Sequence, residues 1–219
     1  MAAGPSCHYG PPMVEPRPGD SALLSAPVLV VNQKTKLIEL TNEYAVFDEH
    51  GAQIAAVAQI GQSKARKVLR ALTSIDQFLT HRLEVRGAEG QLLLSLTRPA
   101  KVFKSTVVVT GPGGDDVGRI VQDNMVGKIH FSLEAGGAKV GSINAENWRA
   151  WNFNVCDETG QEVAKITKTW EGVAKTLFTT ADNYVVHLHQ PIPEPLRSLV
   201  VASALTVDTA LKQDARGFG

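Results

Sequence analysis

The segment LRSLVVASALTVDTAL, residues 196–211, is the part of the chain from which the architecture is most readily predicted. Its apolar centre is about nine residues long, or roughly 14 Å as a helix, about half the hydrocarbon thickness of a bilayer. Apolar side chains surround most of the circumference, and a helix of this kind is normally buried. Because the helix is too short to span a bilayer and too apolar to lie in water, it is predicted to occupy the interior of a closed β-barrel. Its predicted buried residues are Leu199, Val200, Leu205 and Val207.

The chain from residue 26 onward repeats one pattern, in which two β-rich runs flank a turn that contains glycine. Each repeat predicts a β-hairpin, and a spacing of about 20–25 residues per hairpin predicts a meandering all-β barrel or sandwich. Strand alternation places Ile129, Phe131 and Leu133 on one face of the sheet and His130 and Ser132 on the other. The predicted hairpins pair residues 44–48 with 53–57, 82–86 with 92–96, 106–110 with 117–121, 129–133 with 139–143, and 152–156 with 162–166.

Composition limits the function classes. The chain has 219 residues, with 22 Lys plus Arg balanced by 22 Asp plus Glu, so net charge gives no argument for nucleic acid, and no nucleic-acid partner is expected. The two cysteines, Cys7 and Cys156, are too few for a disulfide scaffold. No nucleophile motif or phosphate-binding loop is found, so the protein is predicted not to be an enzyme.

The domain organisation follows from proline content. Residues 1–22 are rich in Pro and Gly and are predicted to be a disordered tail rather than a secretory signal, which favours a cytoplasmic protein. Residues 23–213 are predicted to form the barrel domain, and residues 214–219 a second disordered tail.

One segment outside the β pattern carries a cluster of basic side chains. Residues 63–73 (SKARKVLRALT) have helical spacing of apolar positions, with basic residues on a second face. This face is either a solvated helix surface or a contact for anionic lipid headgroups, to which each basic residue near the surface would contribute ~1 kcal/mol. The candidate headgroup-binding residues are Lys64, Arg66, Lys67 and Arg70.

The last third of the chain resembles the phospholipid scramblase family. Residues 160–172 (GQEVAKITKTWEG) and 175–184 (KTLFTTADNY) fit its pattern, and weaker matches extend the similarity over residues 24–212. The resemblance implies a tubby-like fold, an antiparallel barrel of about twelve strands around a central hydrophobic C-terminal helix. The positions that fit are Gly160, Val163, Ile166, Lys168, Trp170, Gly172, Phe178, Ala181, Asp182 and Asn183.

The resemblance also implies a function. Family members move phospholipids between leaflets without ATP and with stimulation by calcium, so the expected partner is a phospholipid membrane surface, with a location at the inner face of the plasma membrane. Asp182 and Asn183 are the candidate calcium ligands, although Thr180 stands where the family has an acidic residue. These two residues could equally form a turn by bonding nearby backbone. Tubby-like relatives bind lipid headgroups or proteins without transport, and that alternative stays open.

Overall fold

The structure is a computed structural model that describes residues 21–32, 42–60, 81–99, 105–123, 130–147, 152–168 and 183–216. Within these ranges the chain forms two helices, α1 (Ala22–Ser25) and α2 (Leu196–Arg216). The strands are β1 (Val28–Asn32), β2 (Asn42–Phe47), β3 (Gln53–Ile60), β4 (His81–Gly87), β5 (Leu92–Arg98), β6 (Thr106–Thr110), β7 (Asp116–Gln122), β8 (His130–Ala135), β9 (Ala138–Asn147), β10 (Asn152–Asp157), β11 (Glu162–Thr167) and β12 (Asn183–Leu188).

The twelve strands form one closed barrel. Each strand pairs antiparallel with its neighbours along the chain, and β1 completes the ring by pairing with β12, with Val30 opposite Val185. The meander and all five predicted hairpins are confirmed, and the sheet is a barrel rather than a sandwich. Because the ring is closed, each of the described strands has a neighbouring strand on both sides, and none lies at a sheet edge.

The two ends of the barrel differ in their connections. At one end, the β2–β3, β4–β5, β6–β7, β8–β9 and β10–β11 turns are short and contain glycines with positive φ. In the β10–β11 turn, Gly160 has φ +87°, and the Asp157 carboxylate accepts hydrogen bonds from the backbone N–H groups of Thr159 (2.9 Å) and Gln161 (3.0 Å). At the opposite end most connections are longer, and connections of this kind tolerate changes in sequence and length better than strands do.

Helix α2 lies inside the barrel, as predicted. It follows β12, and it contacts α1 and strands β5, β6, β7, β8 and β12. Leu199 and Val200 are fully buried and Leu205 is buried, whereas Val207 lies beyond Thr206, where only the helix backbone is described. Such enclosure explains why the helix is apolar around most of its circumference.

Leu196, the first residue of α2, packs over Gly141 on β9. A Cβ atom at this position would lie 2.9 Å from Leu196 Cδ1 and 2.6 Å from the Cys156 carbonyl oxygen. Both separations are shorter than van der Waals contact, so only glycine allows the helix and β10 to pack here. This glycine therefore positions the start of α2 against the barrel wall.

Polar contacts fix the entry of α2. Arg197 is buried, and its Nη2 donates a hydrogen bond to the carbonyl oxygen of Ala26 at the end of α1 (2.6 Å). Burial lowers the pKa of the Arg197 guanidinium, while the nearby Glu194 carboxylate acts in the opposite direction. Glu194 Oε2 also accepts a hydrogen bond from the Ser198 backbone N–H (3.1 Å), which satisfies one of the free donors of the first helical turn.

Alternation along the strands separates an inner from an outer face. The inner face joins α2 in one large apolar core that includes Leu29, Val31 and Val186. The intervening residues Val30 and Val185 form a second, smaller apolar cluster with Val28, on the outer face of β12 and β1. Val30 is only 1% exposed, so this part of the outer face is shielded from solvent.

Candidate functional site

The predicted headgroup-binding residues fall outside the described part of the chain. Lys64, Arg66, Lys67 and Arg70 lie in residues 61–80, so their role stays a prediction. The predicted domain boundaries at residues 22 and 213 also remain predictions. Within the described ranges, α2 continues to Arg216, five residues past the predicted segment 196–211.

The proposed calcium ligands are only half described. Asp182 lies outside the described residues, whereas Asn183 is the first residue of β12, where it pairs with Asn32 of β1 and is 7% exposed. Calcium requires six to eight oxygen ligands. No group of three or more His, Cys, Asp or Glu side chains arranged to hold a metal occurs among the described residues. The calcium site stays a prediction.

The motif residues that are described support the barrel. Val163 and Ile166 are buried in the core, and Gly160 forms the β10–β11 turn. Lys168 lies just after β11, and its Nζ is 5.3 Å from the centre of the Tyr184 ring on β12, within cation–π range. These parts of the motif therefore specify the pairing of β10, β11 and β12.

A row of polar side chains crosses the outer face of five consecutive strands. Backbone register places His130 (β8) opposite Asn144 (β9), Asn144 opposite Asn154 (β10), Asn154 opposite Lys165 (β11), and Lys165 opposite His187 (β12). All five side chains are half-buried. We call these residues the outer polar row; it combines two imidazoles, one ammonium group and two amides, and contains no carboxylate.

Hydrogen bonds fix one end of the outer polar row. His130 Nδ1 lies 2.8 Å from Asn144 Oδ1, so the Nδ1–H group donates to the amide oxygen. The Asn144 Nδ2 group donates to Ser142 Oγ (3.4 Å) and to Cys156 Sγ (3.8 Å). With its oxygen and nitrogen both used, the Asn144 amide has a defined orientation that aligns His130 and Cys156.

The Cys156 thiol lies beside this row, in contact with Asn144. Burial raises the pKa of the Cys156 thiol, and the negative charges of Glu162 and Asp157 add to that effect, while the Asn144 hydrogen bond opposes it. The thiolate is the reactive nucleophile, so a raised pKa lowers the thiolate fraction of Cys156.

Acidic side chains near the row are engaged elsewhere. Glu162 Oε1 lies 3.0 Å from His189 Nε2, and the Asp157 carboxylate bonds the backbone of its own turn. The row was not predicted from the sequence, because the register of strand pairs outside the hairpins cannot be read from local sequence. The outward positions of the predicted strands were the available signal.

None of the helices in the ranges given above has both the length and the apolar character that crossing a bilayer requires.

Comparison with known proteins gives a family match over most of the chain. The sequence model of the family described as Scramblase matches residues 8–211, which includes every strand and most of α2. Altered inheritance rate of mitochondria protein 25 from Saccharomyces cerevisiae (strain ATCC 204508 / S288c) is 21% identical in a 203-residue alignment, with a coverage of 76% of this chain and 59% of that protein. The chain therefore spans less than two thirds of this relative's length.

A solved structure supports the architecture. The X-ray structure of a protein from Arabidopsis thaliana aligns with a TM-score of 0.50, covering 84% of this chain and 93% of that one. Its sequence identity is 13%, so the likeness concerns the fold alone. This likeness of fold agrees with the tubby-like barrel that the family resemblance implies.

Proposed function

The chain belongs to the scramblase family, and from this premise we propose that it acts at phospholipid membranes, where it binds phospholipids or moves them between leaflets without ATP. The observation that carries the proposal is the family match, which extends over residues 8–211 and thus over nearly the whole barrel. A match of this extent points to a lipid-related role for the complete domain rather than for one motif.

Enclosure of α2 determines how such a protein would meet a membrane. The described side chains of this helix are buried up to Thr206, so they are already covered by the barrel wall. Lipid contact then falls to the outer surface, and we assign it to Lys64, Arg66, Lys67 and Arg70. Each such basic residue near an anionic surface contributes ~1 kcal/mol, so the four would give a binding energy that depends on salt.

Transport is tested in reconstituted vesicles with a leaflet-specific lipid probe. The proposal expects the full-length protein to accelerate transbilayer movement over empty vesicles, and calcium to increase the rate if Asp182 and Asn183 ligate it. A rate equal to that of empty vesicles, with and without calcium, rejects transport. An unchanged calcium response in the D182A/N183A variant rejects the calcium site alone.

A second candidate is a soluble tubby-like module that binds lipid or protein without moving lipid. The observation that favours it is the enclosed α2, because transport through a spanning helix would require this buried segment to leave the barrel. Binding of the protein to anionic vesicles without accelerated lipid movement would favour this second candidate. Replacement of Lys64, Lys67 and Arg70 by Ala should then weaken vesicle binding while leaving the melting temperature unchanged.

The identity of the membrane that the protein contacts is a further part of the proposal. We propose a peripheral location on the cytoplasmic side of the plasma membrane, in line with the family resemblance. The printed name of the yeast relative refers to mitochondria, which offers a different location. A fluorescent fusion viewed beside plasma-membrane and mitochondrial markers decides between them.

A further inference from the structure

The outer apolar cluster, formed by Val28 and Val30 of β1 and Val185 of β12, lies on the outside of the barrel and yet is shielded from solvent. We propose that residues 8–20 of the chain pack across this cluster and cover the seam at which β1 pairs with β12. The inference concerns a contact within the chain and does not depend on the proposed lipid role. It gives the N-terminal segment a docking surface on the barrel, where the sequence predicts a disordered tail.

The first argument is the difference in exposure between outward-facing valines. Val30 is 1% exposed and Val185 is 2% exposed, although neither belongs to the core around α2. Outward valines on the far side of the ring, Val108 of β6 and Val121 of β7, are only half-buried. A strand surface by itself therefore leaves a valine partly open to water, and the seam valines have an additional cover.

The second argument concerns what lies around the cluster. Among the described residues, the only other apolar side chain packed against it is Phe47, which lies beside Val30 on the neighbouring strand β2. A neighbour in the same sheet shields one flank of a valine, but not the side that points away from the sheet. This favours a cover from residues outside the described ranges.

The third argument is position and length. Residues 8–20 lead into Ser21 and α1, and only Ala26 and Pro27 separate α1 from the start of β1 at Val28. The cluster measures about 5 Å across the two strands and about 7 Å along them. An extended segment of this length reaches about 40 Å, at about 3.1 Å per residue. The segment therefore joins the barrel beside the cluster and is long enough to cross it.

The fourth argument is composition. Residues 8–20 (HYGPPMVEPRPGD) carry the side chains of Tyr9, Met13 and Val14 among four prolines. The strands beneath are already paired on both sides, so a covering segment has no ladder to join and must bind through side chains. Proline lacks a backbone N–H, so an extended proline-rich segment has few donors that need a partner. The family's sequence model also begins at residue 8, so it matches this segment together with the barrel.

The test observes the valine methyl resonances of the full-length protein by NMR in the presence of the soluble nitroxide TEMPOL. This probe broadens methyl groups that it can approach. In the unchanged protein we expect Val30 and Val185 to be protected and Val108 and Val121 to be broadened.

The variant Y9S/M13S/V14S removes the apolar side chains of the segment. We expect the seam valines then to broaden about as much as the outward valines on the far side of the ring. The matched control is A2S/A3S, which changes two residues that precede the segment and should leave the protection intact.

A second measurement locates the segment directly. Cys7 adjoins residue 8, and Cys156 is the only other cysteine of the chain, so C156S accepts a nitroxide label at Cys7 alone. We expect this label to broaden the outer apolar cluster more than the far side of the ring. Adding Y9S/M13S/V14S should reduce that broadening, because a segment without its apolar contacts no longer stays on the cluster.

Several outcomes overturn the inference. Broadening of the seam valines by TEMPOL in the unchanged protein would show that they have no cover. Continued protection in Y9S/M13S/V14S, with unchanged resonances of the core residues Val109 and Val155 showing a folded barrel, would assign the cover to another part of the chain. Protection that disappears on dilution would assign it to a second copy. If the variant does not fold, the Cys7 label decides: equal broadening of the cluster and the far side of the ring would refute the contact.

Discussion

At the residue scale, Gly118 shows how tightly the barrel wall is packed. Its φ is +149°, and a Cβ atom there would lie 2.2 Å from the carbonyl oxygen of Glu134 on the neighbouring strand β8. The obstruction is backbone, which cannot move aside without disturbing the β7–β8 pairing. Glycine at this position is thus a requirement of the sheet.

We predict that G118A lowers the free energy of unfolding by about 3 kcal/mol, from backbone strain together with overpacking. Urea denaturation followed by circular dichroism measures this change. The control is G113A, where the nearest atom is Asp115 Oδ1 at 3.3 Å, on a side chain that can rotate. Similar losses for the two variants would contradict the backbone explanation.

The Asp157 turn makes stability depend on pH. The pKa of this carboxyl is lowered, chiefly by the side-chain hydrogen bond from Thr159 (2.7 Å) and with help from backbone N–H groups. Because the folded pKa lies below the unfolded one, ionised Asp157 stabilises the fold above the unfolded pKa. That contribution is lost as the pH falls through the folded pKa.

We therefore predict that D157N has a modestly lower melting temperature than the unchanged protein at neutral pH. Asparagine keeps the oxygen acceptor but lacks the charge, so the difference should shrink as the pH is lowered into the acidic range. Thermal melts over a pH series check this, and a difference that stays constant in acid would argue against a charge effect.

The separation of side chains onto the two faces of a strand could be predicted from the sequence, but their partners on other strands could not. Alternation correctly placed Phe131 and His130 on opposite faces of the sheet, because the two-residue period of a strand is local information. The Lys168–Tyr184 contact and the Lys165–His187 pairing join β11 to β12 across a long connection. Register across such a connection depends on the whole sheet, so the outer polar row was not predictable.

At the element scale, α2 is the clearest case in which composition determines location. Two buried hydroxyl groups of this helix form their hydrogen bonds within it: Ser203 Oγ donates to the Leu199 carbonyl oxygen (2.6 Å), and Thr206 Oγ1 donates to that of Ala202 (2.8 Å). Bonds to the preceding turn satisfy both hydroxyls without any group from the barrel wall. The helix can therefore occupy an apolar interior despite carrying these residues.

This arrangement predicts different outcomes for two neighbouring substitutions. L199A should lower the free energy of unfolding by about 3 kcal/mol, because Leu199 is fully buried and its loss leaves a cavity. S203A should change it by less than about 1 kcal/mol, because the removed hydroxyl bonds only within the helix. Chemical denaturation of the two variants compares them directly. A large decrease in the free energy of unfolding for S203A would indicate that the Ser203 hydroxyl also contacts the barrel wall.

At the scale of the whole molecule, the ring closure was the step least accessible to sequence. The hairpins follow from glycine turns between short strands, whereas β1 and β12 are separated by most of the chain, and local patterns allowed a sandwich as well as a barrel. The choice of a barrel came from α2, since a helix apolar all round requires an enclosing wall. The strand number was implied by the family resemblance alone.

Closure also predicts that the barrel unfolds as one unit. Leu29 of β1 is buried in the common core, and β7 lies on the opposite side of the ring. We expect L29A to lower the free energy of amide exchange by about 3 kcal/mol in β7 as well as in β1 and β12, because a closed sheet around a shared helix has no edge from which to open locally. Native-state hydrogen exchange followed by NMR measures each strand separately. A reduction confined to β1 and β12, with β7 unchanged, would mean that the seam opens on its own while the remaining strands still enclose α2.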